Sequence, residues 1–133
     1  MKKDPLEREI LNRLSSNILD AAITVHREIG PGLLESVYQH CMVKELQDRQ
    51  LLVNTMVPVA LHYKGVALNK EYIIDILVED EIILELKAND ALLPVHQAQL
   101  LSYLKLANKR LGLLINFNVS LLKQGFRRFV NKF

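Results

Sequence analysis

The chain has 133 residues, half of them hydrophobic and 24% charged, with a formal net charge of +2. That length and apolar content support one core of ordinary size, so residues 1–133 are expected to form a single domain. The first ten residues, MKKDPLEREI, include acids and no apolar run, and no later stretch approaches the roughly eighteen apolar residues of a membrane span. Neither a signal peptide nor a membrane segment is expected, and the expected location is cytoplasmic. The one cysteine, Cys41, has no partner for an internal disulfide and reads as a structural thiol on a helix.

Apolar residues recur at helical spacing from Leu6 through Ile10, Leu14, Ile18, Ala21, Ala22, Val25 and Ile29, which predicts a first helix over Pro5 to Ile29. Gly30-Pro31-Gly32 should end it. A second helix is expected from Leu33 to about Gln50, with Leu34, Val37, Tyr38, Cys41, Met42 and Leu46 on its apolar face and Gly32 as its cap, which puts Glu35 at the third helical position. From Leu52 to Tyr63 the residues become β-type, Val57, Val59 and Leu61 alternate, and Lys64-Gly65 turns the chain into a second strand. An acidic turn after Val78 leads into a third strand ending at Lys87. A further helix is expected from Val95 to Ala107, with Pro94 in its first turn and Ala98, Leu101, Leu104 and Leu106 facing inward. The apolar run Leu111 to Phe117 reads as a buried strand parallel to the preceding one, and residues 120–133 permit a final strand or a short helix.

Three charged groups interrupt the apolar β sequence between Glu71 and Lys87. Asp75 lies in YIIDILV, where an ionised carboxylate left dry and unpaired would cost several kcal/mol. In the next strand Glu81, Ile83, Glu85 and Lys87 share one face, and Ile82, Leu84 and Leu86 the other. Asp75 and Glu85 can therefore converge at one sheet edge, where two carboxylates can hold a hard divalent cation with Lys87 beside it. This arrangement resembles the PD-(D/E)XK nuclease superfamily, with Asp75 as the motif aspartate and Glu85-Leu86-Lys87 as its (D/E)-x-K. Ile74 stands where the fuller pattern has proline.

Gly32-Leu33-Leu34-Glu35-Ser36-Val37-Tyr38 spells G-x-x-E-x-x-Y, and here the resemblance narrows to the GxxExxY family of that superfamily. Gln99 and Tyr103, one helical turn apart, look like the Q-x-x-x-Y motif of RecB-type members, and His96 lies one turn earlier on the same stripe. The resemblance implies an α/β (α+β) fold with an αβββαβ core, a mixed central sheet flanked by helices. It also implies a nuclease that hydrolyses phosphodiesters of nucleic acid, DNA in the first instance. Asp75, Glu85, the carbonyl of Leu86 and Glu35 would hold Mg²⁺ or Mn²⁺, Lys87 would act on the attacking water, and Gln99 and Tyr103 would orient the site and the bound strand. The alternative is an inactive nucleic-acid-binding or protein-assembly module of the same fold.

The charge distribution fits a polyanionic partner: all fifteen acidic residues fall in residues 1–90, whereas residues 91–133 are purely basic. Lys105, Lys109, Arg110, Lys123, Arg127 and Arg128 are the expected phosphate contacts. The short chain leaves sequence specificity low or supplied by a second subunit, a homo-oligomer partner included. There is no phosphate-cradling glycine loop, no paired Cys/His pattern for zinc and no G-x-S-x-G nucleophile turn.

Overall fold

The computed structural model describes residues 5–133. In chain order it contains α1 (Pro5–Ile29), α2 (Glu35–Asp48), β1 (Val53–Tyr63), β2 (Val66–Val78), β3 (Ile82–Lys87), α3 (Pro94–Ala107), β4 (Leu111–Asn116), a 3-10 turn (Leu122–Gly125) and β5 (Phe126–Val130). The five strands form one mixed sheet in sequential order. All neighbouring pairs are antiparallel except β3 and β4, which α3 joins in parallel. The expected αβββαβ order is present, preceded by an additional helix and followed by both a 3-10 turn and a strand.

Helices cover both faces of the sheet. On one face Ile76, Val78, Ile82, Leu84, Leu86, Leu111, Leu113 and Ile115 pack against Leu11, Ile18, Ala21, Ala22 and Val25 of α1 and Tyr38, Met42 and Leu46 of α2. On the other, Val59, Ile74, Leu77, Ile83 and Leu114 pack against Leu100, Tyr103 and Leu104 of α3. The alternation expected for β3 is thus present, with Ile83 on the α3 side and Ile82, Leu84 and Leu86 on the other. Arg49 ties the two helices of the first layer together, reaching Glu45 and Asp20 at 2.9 Å and the Asn17 side chain at 2.8 Å.

Three local expectations need correction. On α1 the inward residue is Leu11, and Ile10 is exposed. Seven residues separate Leu11 from Ile18, two helical turns, whereas eight separate Ile10 from it and rotate that side chain off the stripe. The side chain of Leu6 lies outside the described residues. On α3 the buried stripe is Leu100, Tyr103 and Leu104, while Ala98 and Leu106 are exposed. Those two stand two residues from Leu100 and Leu104, and a two-residue step on a helix leads toward the opposite face.

The third correction concerns the start of α2. Its cap is Leu34, in extended conformation, and Glu35 is the first helical residue instead of the third. The turn before it is set by Gly30 and Gly32, with φ of +69° and +91°, backbone that residues with a Cβ rarely adopt. Tyr38 fixes this turn. Its hydroxyl donates to the Gly30 carbonyl at 2.6 Å and accepts from the Leu33 N–H at 3.2 Å, while its ring stacks on Phe117 at 4.5 Å. Leu34, expected on the apolar face, is left 73% exposed.

Strand β2 changes character partway along. Val66 to Glu71 is exposed at every position, as are His62 to Gly65 of the connecting turn, so β1 and β2 project as a two-stranded arm beyond the helices. Deeper in the sheet, Ile74 belongs to the α3 core but Ile76 and Val78 to the α1–α2 core. The inward phase therefore reverses at Asp75. Strand β1 does the same, with Val53 on one core and Val57 and Val59 on the other. Between the pairs Thr55–Ile76 and Val57–Ile74, Met56 stands opposite Asp75 with φ of +52°. A left-handed residue in a strand turns the ribbon locally, and here the turn occurs at the aspartate.

Candidate active site

Asp75 sits where β2 leaves β3. The ladder between those strands runs from Val78–Ile82 to Ile76–Leu84. Beyond it, side chains replace main-chain pairing: the Leu86 N–H donates to Asp75 Oδ2 at 3.0 Å, and the Asp75 N–H faces Glu85 Oε1 at 3.4 Å. These contacts bring the two carboxylates together, as their sequence positions predict, but between two interior strands where β2 and β3 part, instead of at the expected sheet edge. The orientation of β3 adds an oxygen. The Lys87 carbonyl accepts from the Phe117 N–H, toward β4. Peptide groups alternate along a strand, and the Leu86 N–H points to Asp75, so the Leu86 carbonyl points to the same side.

Glu85 is only 8% exposed. Burial, first, and the neighbouring Asp75 charge push its pKa up to about 9, against which Lys87 acts weakly. Two carboxyls in a desolvated place cannot both ionise without a cation, so in isolation the pair keeps a proton. Lys87 forms no ion pair within 4 Å among the described residues, so a Lys87–Glu85 salt bridge does not account for it. It ends β3 on the same face as Glu85.

Glu35 approaches from the other layer, at the positive end of α2. The residue is exposed as a whole, but its carboxyl is raised by partial burial, with Lys87 and His96 opposing the shift and Asp75 adding to it. The charges that act on Glu35 thus come from β2, β3 and α3. Among the described residues no three His, Cys, Asp or Glu side chains form a ready-made metal cage. The oxygen set is a carboxylate pair and a carbonyl, with Glu35 at the start of α2 within reach of the Asp75 charge.

Tyr103 packs in the α3-side core with Ile74, the neighbour of Asp75, and Ile83, two residues before Glu85 on the same face of β3. Burial, then the charges of Glu85, Asp75 and the nearby Tyr72, raise its hydroxyl. Its ring is tilted against Tyr72 at 4.8 Å, a contact that the sequence reading did not include. Gln99, one turn before Tyr103, is exposed, and its side chain makes no hydrogen bond among the described residues. The structure thus brings Tyr103 to the carboxylates and leaves Gln99 at the rim.

Asn116 is a second residue that the sequence reading passed over. It is 2% exposed at the end of β4, accepts from the N–H groups of Asn89 and Asn118 at 3.1 and 3.2 Å, and donates to the Asn89 carbonyl at 2.8 Å. It clamps the loop that connects Lys87 to α3. The available signal was a polar residue closing the apolar run LGLLIN, since a buried amide needs partners.

The basic final third does not form one surface at this site. In the parallel register Lys87 lies beside Asn116 and Ile82 beside Leu111, which puts Lys109 and Arg110 at the opposite end of the sheet. Lys109 is engaged there with the Asp80 carbonyl and carboxylate at 2.9 and 3.3 Å. Arg128 binds Asn12 at 2.7 Å and lies over the Phe133 ring. Sequence proximity had merged charges that the fold distributes over two ends of the molecule.

Among the described residues, no helix is long and apolar enough to cross a membrane. No curated protein matches the chain, and no solved structure does. A family model described as the PD-(D/E)XK nuclease superfamily matches residues 12–129, a span that contains Glu35, Asp75, Glu85, Lys87, Gln99 and Tyr103. With the mixed sheet between helices and the Asp75 and Glu85-x-Lys87 residues meeting where β2 and β3 part, that match shows that the chain belongs to the PD-(D/E)XK nuclease superfamily.

Proposed function

We propose that this chain is a divalent-metal-dependent nuclease acting on DNA, with Asp75, Glu85 and Lys87 at its reactive centre. The observation that carries the reading is the pair of contacts, Leu86 N–H to Asp75 and Asp75 N–H to Glu85, which holds two carboxylates together where strand pairing ends. Such a pair is costly in an apolar sheet without a cation to balance it. Members of the superfamily generally use divalent metal ions. The donor set fits one: Asp75, Glu85 and the Leu86 carbonyl are all hard oxygens, as Mg²⁺ or Mn²⁺ prefers. When bound, the ion supplies Lewis acidity that activates water and offsets charge on the phosphate.

The remaining chemistry belongs to the chain. Lys87 orients the attacking water or stabilises the pentavalent phosphorus through its ammonium. Glu35, at the start of α2, would add a further carboxylate oxygen to those that hold the ion. Tyr103, packed against Ile74 and Ile83, would help orient the site, and Gln99 stands at the rim, where it can meet the bound strand. We further place the chain in the GxxExxY family of the superfamily. The three named residues of that motif have one structural logic here: Gly32 makes the turn, Tyr38 latches it, and Glu35 is thereby presented to the site.

The test is cleavage of single- and double-stranded DNA and RNA in Mg²⁺, Mn²⁺ or EDTA. The wild-type chain should cleave DNA only with metal, and Asp75→Asn and Lys87→Ala should each lower the rate by about a thousandfold. Cleavage that survives both substitutions would remove these residues from the mechanism. Metal-dependent binding without cleavage would assign the chain to the binding-module reading.

A further inference from the structure

Among the described residues, His96 is a polar group near the carboxylates to which neither the superfamily motif nor the mechanism above gives a role. It occupies the third position of α3, where its Nδ1 accepts the Leu93 N–H at 3.1 Å. This contact is the returning half of a capping box, and it fixes both the ring plane and the tautomer. A nitrogen that accepts from an N–H carries no proton, so the neutral ring bears its hydrogen on Nε2. No hydrogen bond or ion pair engages Nε2 among the described residues, and the ring is half-buried. Helix α3 runs from the loop after Lys87 back toward Leu111, which lies beside Ile82 at the far end of β3, so its first turn, with His96, stands at the Lys87 end of the sheet. The Asn89–Asn116 clamp fixes the loop between Lys87 and α3, so the position of His96 relative to Lys87 is built into the fold.

A fixed ring with a free N–H donor, set at the positive end of a helix, suits a phosphate oxygen. We propose that His96 is a substrate-binding residue whose Nε2–H donates to a backbone phosphate of the nucleic-acid strand held at Asp75, Glu85 and Lys87. This inference rests on the nuclease reading for its substrate class. The contact is made to the bound strand before and during reaction, so it acts mainly on affinity and leaves the chemical step largely unchanged.

Two substitutions separate this role from helix capping. His96→Asn would place an amide oxygen where Nδ1 lies and keep the Leu93 contact, but it supplies no donor at the Nε2 position. His96→Gln would place an amide N–H near the Nε2 position. The measurements are kcat and KM for a labelled DNA oligonucleotide with Mg²⁺ or Mn²⁺, melting temperature, and anisotropy of the same oligonucleotide with each substitution in an Asp75→Asn background. His96→Asn should raise KM and weaken binding about tenfold at nearly unchanged kcat and melting temperature, and His96→Gln should restore most of the affinity. An unchanged KM and affinity in His96→Asn, or an equal loss in His96→Gln, would overturn the proposal. If the wild-type chain binds the oligonucleotide without cleaving it, the nuclease reading fails while the affinity comparison still decides the role of His96. If it neither binds nor cleaves, both readings fall.

Discussion

The β1–β2 ribbon passes through two environments, and charge has a different meaning in each. In the arm, from His62 to Glu71, every residue is exposed, and Lys64, Lys70 and Glu71 keep their water. Deeper in the sheet, helices cover both faces, and the charged residues there are Asp75 and, on the neighbouring strand, Glu85. A charge in the arm is thermodynamically ordinary. A charge in the body has to be balanced, and the contacts from Leu86 and Asp75 N–H groups balance it only in part. The cost of a charge therefore points to the site better than its presence does.

This contrast can be broken most directly through pH. The carboxyl of Glu85 lies at about 9 in the fold against an ordinary value of 4.5. The folded state therefore holds a proton that the unfolded chain has lost between these values. The resulting stability is fully present below pH 4.5 and is lost as pH rises toward 9, at up to about 1.4 kcal/mol per pH unit for this group. Thermal melting of the metal-free protein between about pH 5 and 9 should show that loss, and Glu85→Gln should flatten it. Added Mg²⁺ should stabilise the protein most at the alkaline end. A pH-independent melting temperature would mean that the pair carries no shared proton.

Asn116→Ala should have a smaller effect. It leaves the half-buried Asn89 main-chain groups without their partner, which should cost about 1–2 kcal/mol in denaturant unfolding. Activity should fall further than stability alone accounts for, because the loop carrying α3 is released. Activity that tracks stability alone would sever the clamp from the site. The smallest effect belongs to the arm. Lys64→Ala and Lys70→Ala should each leave stability within about 0.5 kcal/mol, since neither group is desolvated. A larger loss on chemical denaturation would show that the arm is not the free ribbon that its exposure indicates.

Much of this was legible in the sequence. The α1 range, the hairpin turn at Lys64-Gly65, the parallel β3–β4 pair and the convergence of Asp75 with Glu85 follow from periodicity and strand alternation. The helical faces were read less well. Apolar character alone puts Ala98 and Leu106 inward beside Leu101 and Leu104, whereas the 3.6-residue turn buries Leu100 and Tyr103 with Leu104. A glycine cap puts Glu35 two positions deeper in α2 than it lies, because Tyr38, through contacts to Gly30 and Leu33, holds the glycines as a separate turn. The basic C-terminal third illustrates a different limit. Charge counted along a chain says nothing of which end of a sheet receives it, and only the parallel register sends Lys109 away from Lys87. Tyr72 and Asn116 were missed because their roles depend on neighbours remote in sequence.

The reversal of phase at Asp75 gives the site an unusual dependence on its surroundings. Ile74, on one side of the aspartate, is anchored by α3, while Ile76, on the other, is anchored by α1 and α2. One carboxylate thus hangs between two hydrophobic layers that are otherwise separated by the thickness of the sheet. Loosening either layer shifts one of its two flanking anchors, so the alignment of Asp75 with Glu85 reports the integrity of both cores together. The reactive geometry is a joint property of the two layers, and neither half of the molecule holds it alone.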